Sequence, residues 1–128
     1  MKRKQLLQSA LALLGLAAVL GSSTASAQSY PSRPVRIVVP FATGGPADVY
    51  ARFIAQRLTE TLGQSFVVDN KPGGGSVIGT DLAAKGAPDG YTLLMMSNTH
   101  TVNETLIPNK PFALMKDFVG VAPINYSD

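Results

Sequence analysis

Three short stretches of this sequence gather residue types suited to holding an anion. The first is Pro40-Phe41-Ala42-Thr43-Gly44-Gly45-Pro46-Ala47-Asp48. Gly44 and Gly45 let a backbone approach a ligand closely, and a helix opening at Pro46 would present free N–H groups and a positive dipole end. Asp48 would then lie in the first helical turn, where a carboxylate complements that dipole. The same residues also fit a plain tight turn from strand to helix, with Asp48 as a capping charge. The second stretch, Gly73-Gly74-Gly75-Ser76-Val77-Ile78-Gly79, again leads into a helical pattern. The third, Ser97-Asn98-Thr99-His100-Thr101, is rich in small hydrogen-bonding side chains.

None of the three stretches completes a better-defined catalytic or nucleotide motif. A dinucleotide fingerprint running from Gly73 and Gly75 requires glycine at position 78, where Ile78 stands; Gly79 is one residue late. No Gly-Lys-Ser/Thr triplet completes a P-loop. Ser97 and His100 do not make a triad, and the strained Gly-x-Ser-x-Gly elbow is absent. His100 reads as a hydrogen-bonding or surface histidine, and Met95-Met96 as strand core. With no Cys and a single His, thiolate nucleophiles, Cys-ligated metals and His-rich metal sites are excluded. No cofactor and no metal are expected, and the chain is not expected to be an enzyme.

The elements that must position these loops follow from hydrophobic patterning. Val35 to Pro40 is a short β-branched run, suited to a strand buried on both faces. Ala47, Ala51, Ile54, Leu58 and Leu62 recur at helical spacing, with Gly63 as the stop. Ser65–Asp69 predicts a second strand, Val77–Lys85 a second helix and Thr92–Ser97 a third strand. Residues 98–109 read as irregular with a helical turn around Val102–Leu106, and Val119–Ile124 as a fourth strand. Strands alternating with helices predict an α/β layered fold with a mostly parallel sheet and flanking helices. Right-handed crossovers would then bring all three loops to one edge, at the carboxyl ends of the strands.

The N-terminus has a different character. Lys2, Arg3 and Lys4 precede an apolar stretch from Leu6 to Leu20, and Ala25-Ser26-Ala27 closes the segment with small residues. This reads as a cleavable export signal over residues 1–27, cut after Ala27. The apolar stretch, about 15 residues, is shorter than the roughly 20 needed to span a bilayer. No Cys follows for lipid attachment, and no twin arginine is present, so the general secretory route to the periplasm is expected. The formal charge of the whole chain is +3. The signal carries three of the eleven cations; the other eight balance the eight carboxylates. No basic cluster remains to draw nucleic acid, so none is expected as a partner.

The order of motifs resembles a known family. Tyr30-Pro31-Ser32-Arg33-Pro34-Val35-Arg36-Ile37-Val38-Val39-Pro40-Phe41, Gly44-Gly45 with Asp48, and Ala51-Arg52 open the resemblance. Leu62-Gly63-Gln64, Val67 to Gly75, Ile78-Gly79, Ala83-Ala84-Lys85, Pro88 to Leu94 and Lys116-Asp117-Phe118 continue it. Together they resemble the Bug-type periplasmic solute-binding receptors of tripartite tricarboxylate transporters. Pro46-Ala47 stands where that family commonly has a small polar pair. The resemblance implies a two-lobed, type II-like binding protein holding a small carboxylate between its lobes and working with membrane permease subunits. It places Thr43, Gly44, Gly45, Gly74, Gly75, Ser76, Ser97, Thr99 and His100 at the ligand. Family members are longer, so residues 28–128 are expected to be an incomplete N-terminal lobe. Two other readings stand beside this one: a truncated product without independent function, and an exported enzyme handling phosphate or another anion.

Overall fold

The computed structural model describes residues 29–125, so the expected export signal lies outside the described residues. Three parallel strands form one sheet in the order β2-β1-β3. They are β1 (Val35–Val39), β2 (Phe66–Asn70) and β3 (Thr92–Leu94). The helices are α1 (Pro46–Leu62), α2 (Val77–Ala84), α3 (Asn98–Leu106) and the single turn α4 (Leu114–Asp117). Register pairs Val35 with Phe66 and Arg36 with Thr92. This is the α/β parallel architecture that the hydrophobic pattern predicts.

β1 is central and its side chains alternate between two covered faces. Val35, Ile37 and Val39 pack with Ala51 and Ala55 of α1, Phe66 and Met95. The small Ala side chains let α1 lie close to the sheet. On the opposite face α2 approaches β1 and β3, and Gly79 sits directly against Pro40. Crossing first toward β2 and then back toward β3 with right-handed connections puts the two helices on opposite faces. α1 opens with Gly45 as N-cap and Pro46 as its first residue. It closes at left-handed Gly63, whose N–H returns to Thr59 O.

Pro40 ends the sheet. Arg36 N–H donates to Tyr91 O, and Met95 N–H donates to Val38 O at 2.9 Å. The next bond on that side of β1 would need an N–H at position 40, and proline has none. β3 therefore stops at Leu94, shorter than the predicted Thr92–Ser97. Met95 still reaches the core, whereas Met96 is 44 % exposed, so only the first of the pair is core.

Two further expectations are corrected. Residues 98–106 are a regular helix, not an irregular loop with one turn, because Ser97 caps it. The Ser97 side chain accepts from Thr99 N–H, and His100 in turn accepts from the Ser97 N–H. Residues 119–124 are not a fourth strand. Val119 and Val121 are 90 % and 82 % exposed, with no ladder partner among the described residues. An alternating apolar pattern becomes a strand only when another strand satisfies its backbone.

Candidate functional site

All three strand-to-helix loops emerge at the carboxyl edge of the sheet. β1 runs into α1 on one side while the crossover to β3 passes on the other, so the chain parts between β1 and β3. Open α/β sheets bind ligands at such a switch point. A depression of about 250 Å³ lies there, lined by Phe41, Ala42, Gly45, Pro46, Ala47 and Ser97. Its walls are mostly apolar, with Ser97 the polar side chain. Pro46 has no N–H, and among the described residues no acceptor reaches the amides of Ala47 and Asp48.

Asp48 holds the first loop. Its side chain is nearly fully buried. Oδ2 accepts from the Gly44 amide at 2.8 Å and from Arg52 Nε at 3.0 Å; Oδ1 accepts from Asn70 Nδ2 at 2.9 Å. Asn70, the last residue of β2, also accepts from Arg52 Nη2 and donates to Phe41 O. The Arg52 hydrogen bond, followed by that of the Gly44 amide, holds the Asp48 carboxyl down at about 2, against the opposing effect of desolvation. The carboxylate is therefore charged in ordinary buffers. The sequence suggested Asp48 only as a capping charge; its partner Asn70, at the end of β2, is 22 residues away and carries no local signal.

The second loop is a left-handed run. Gly73, Gly74, Gly75 and Ser76 have φ of 129°, 57°, 64° and 77°. Glycine takes these angles without penalty, whereas Ser76 is a non-glycine residue that its surroundings must hold there. Among the described residues no acceptor reaches the amides of Gly74, Gly75 and Ser76. Ser76 itself is buried at the N-cap of α2. Its carbonyl accepts from Thr80 Oγ1 at 2.8 Å.

The third loop caps α3 and carries His100, which is 2 % exposed. Nε2 lies 3.1 Å from Thr80 Oγ1 and Nδ1 lies 3.1 Å from the Ser97 amide. The Thr80 hydroxyl proton is committed to Ser76 O, so Nε2 is the donor and Nδ1 the acceptor. That pattern corresponds to a neutral imidazole with its proton on Nε2; Nδ1 also lies 3.3 Å from the Ser97 carbonyl oxygen. Burial pushes the imidazole below its usual range, against a weaker opposing effect of that carbonyl. Phe41 meets the ring edge-on at 5.7 Å. One helical turn later, Asn103 Nδ2 donates to Gly75 O at 2.6 Å and approaches Ser76 Oγ at 3.3 Å.

The residues singled out in the sequence thus fall into two groups. Thr43, Gly44, Gly74 and Gly75 are exposed at the edge, and Gly45, Ser97 and Thr99 are half-buried. Ser76 and His100 lie beneath that surface, where their polar atoms serve other loops. Only Gly45 and Ser97 line the depression; the glycine-rich loop joins them indirectly, through α3. Sequence reasoning missed Asn70, Thr80 and Asn103. For α3 a signal was available: Ser97-x-x-His100 has the spacing of a capping box, with histidine in place of the usual Glu or Gln.

The comparisons with known proteins agree with this geometry. Residues 50–128 match the family model described as tripartite tricarboxylate transporter family receptor. Protein BugT of Bordetella pertussis is 46 % identical over 101 residues, covering 77 % of this chain and 31 % of that protein. Among solved structures, one titled as a periplasmic transporter is 45 % identical with a TM-score of 0.63, covering 65 % of this chain and 28 % of that one. MatC from Rhodopseudomonas palustris with bound malate is 39 % identical, also with a TM-score of 0.63, covering 70 % and 31 %. The chain spans about a third of the length of the curated relatives it matches. With the family model matching more than half of its residues, the chain belongs to the tripartite tricarboxylate transporter receptor family.

Proposed function

We propose that this chain is the N-terminal part of a periplasmic receptor that binds a small carboxylate and passes it to membrane permease subunits. In this reading residues 1–27 are an export signal removed after Ala27, and residues 28–128 form the first part of lobe 1. The observation that carries it is the depression at the switch point, with the unpartnered Ala47 and Asp48 amides beside it. A carboxylate suits such donors without any specific side-chain charge. The family membership and the relative holding malate support that choice of anion.

Thr43, Gly45, Gly74, Gly75, Ser97 and Thr99 are the proposed contacts. Gly44 serves by leaving room, because its amide is already committed to Asp48. Ser76 contributes its amide. His100 acts from below, since both ring nitrogens are engaged. At about 250 Å³ the depression is smaller than the roughly 300–1,000 Å³ of enclosed ligand sites. It fits half of a cleft, to be closed by a second lobe. Catalysis is not proposed: among the described residues no nucleophile stands beside a free base.

Calorimetric titration with mono-, di- and tricarboxylates, and with nucleotides as comparison, tests the reading. Heat from at least one carboxylate and none from nucleotides is expected. Gly75→Val, at φ +64°, should abolish that heat while leaving the far-UV spectrum unchanged. A nucleotide response without any carboxylate response refutes the proposal. Mass spectrometry of the periplasmic fraction should find Gln28 as the first residue.

A further inference from the structure

His100, Thr80, Ser76 and Asn103 form a buried polar chain that the anion-binding proposal does not use directly. All four are under a tenth exposed. They link the three loops: Phe41 from the first rests on His100, Ser76 and Gly75 of the second are bonded to Thr80 and Asn103, and Ser97 of the third is capped by His100. Such a chain is stabilising only when every member is satisfied: with the proton on Nε2, His100 bonds both Thr80 and the Ser97 amide, and Asn103 bonds Gly75 O and Ser76 Oγ. The loop it holds has the most to gain. Four successive left-handed residues, one of them a serine, are not a conformation that the chain adopts unaided. The two acceptors in that loop that α3 and Thr80 occupy are the carbonyls of Gly75 and Ser76. Tying the carbonyls inward leaves the amides of Gly74, Gly75 and Ser76 for a ligand.

We propose that His100, Thr80 and Asn103 are positioning residues that preset the Gly73–Ser76 loop, tie it to the Ser97 loop through one buried hydrogen-bond chain, and reach the first loop through the Phe41 ring resting on His100. The coupling to a ligand rests on the carboxylate reading; the presetting of the loop does not. A ligand entering the depression beside Phe41 and Ser97 then meets a loop already ordered, and pays less of the ordering cost itself.

The test uses the full chain labelled with 15N, and succinate as the probe. Thr80→Val keeps the shape and removes the hydroxyl; Thr80→Ser restores it; Asn103→Ala removes the second tie. Thr80→Val and Asn103→Ala should each speed amide exchange at Val77, Ile78 and residue 80, whose N–H groups donate to the loop carbonyls of Gly74, Gly73 and Ser76, about five- to tenfold, the equivalent of one lost hydrogen bond. Each should weaken succinate by a similar factor, with Thr80→Ser close to wild type. The His100 ring nitrogen shifts should report the Nε2–H tautomer in wild type and Thr80→Ser, and a tautomer mixture in Thr80→Val. Amides of Val77, Ile78 and residue 80 equally protected in all variants, with one unchanged His100 tautomer, overturn the proposal. If Thr80→Val does not fold, Asn103→Ala decides on loop exchange alone. Wild type that ignores succinate and every other carboxylate of the titration panel, while both variants loosen the loop, refutes the carboxylate reading and upholds the presetting.

Discussion

Gly79→Ala tests how α2 is seated against the sheet. A Cβ built at Gly79 would lie 2.6 Å from Lys71 O, 2.7 Å from Pro40 Cβ and 2.9 Å from Pro40 Cα. Two effects oppose each other. Alanine is favoured over glycine inside a helix by about 1 kcal/mol, an upper limit at the third position of α2. Overpacking costs about 1–3 kcal/mol when the obstructing groups must move. Here they are a backbone carbonyl and a proline at the end of the central strand, neither of which can rotate away. The clash should win, by about 1–2 kcal/mol. For a unit of about 100 residues this lowers Tm by roughly 4–15 °C. Thermal melts followed by circular dichroism of wild type, Gly79→Ala and Gly120→Ala measure it. Gly120 has nothing within 4 Å of its built Cβ and serves as the control. A Gly79→Ala variant melting at or above wild type would refute the reasoning, because helix propensity would then outweigh the contact.

Two further predictions concern pH. Because Asp48 is held at about 2, below its ordinary 3.8, its charge contributes stability fully above pH 4 and loses that contribution as pH falls toward 2. The Tm gap between wild type and Asp48→Asn should be constant from pH 7 to 4 and close between 4 and 2; a gap unchanged at pH 2 would show that the charge does not matter. His100 is held neutral by burial and its value is lowered from the ordinary 6.5, so the unfolded chain takes up its proton first as pH falls. Wild-type Tm should therefore decline as pH drops below about 6.5. His100→Gln, which retains a capping-box side chain, should remove that decline; an equal decline in both would assign it to another group.

Where the sequence was legible, the signals were local. The start of α1 at Pro46 and its stop at Gly63 could be read because a proline at the first position and a left-handed glycine at the end act within one turn. The parallel sheet is legible in three short, mostly apolar runs separated by helical spacing. Gly79 looked like a misplaced nucleotide glycine, and its actual reason, contact with Pro40, lies across the sheet. The Asp48–Asn70 and Gly75–Asn103 bonds join residues 22 and 28 positions apart, which no periodicity reveals. Val119 and Val121 misled for the same reason in reverse: alternation was present, but the partner that makes alternation a strand was not. The candidate edge was therefore foreseen as three loops, while the buried polar chain beneath it was not.

The strand order has a consequence for how the molecule folds. Among the described residues both pairings are parallel, so no hairpin is available there to start the sheet. β1 must wait for β2 about 30 residues later, and for β3 about 55 residues later. Closing the longer loop costs only about 0.6 kcal/mol more per doubling of length, but it cannot be repaid until β1 has something to hold it. The β1–α1–β2 unit is the economical nucleus, and β3 joins a surface already made. In that order, Ser97 and His100 would reach Thr80 last. The loops at the carboxyl edge would acquire their shape at the end of folding, and fast-folding variants of the nucleus would leave that final step unchanged.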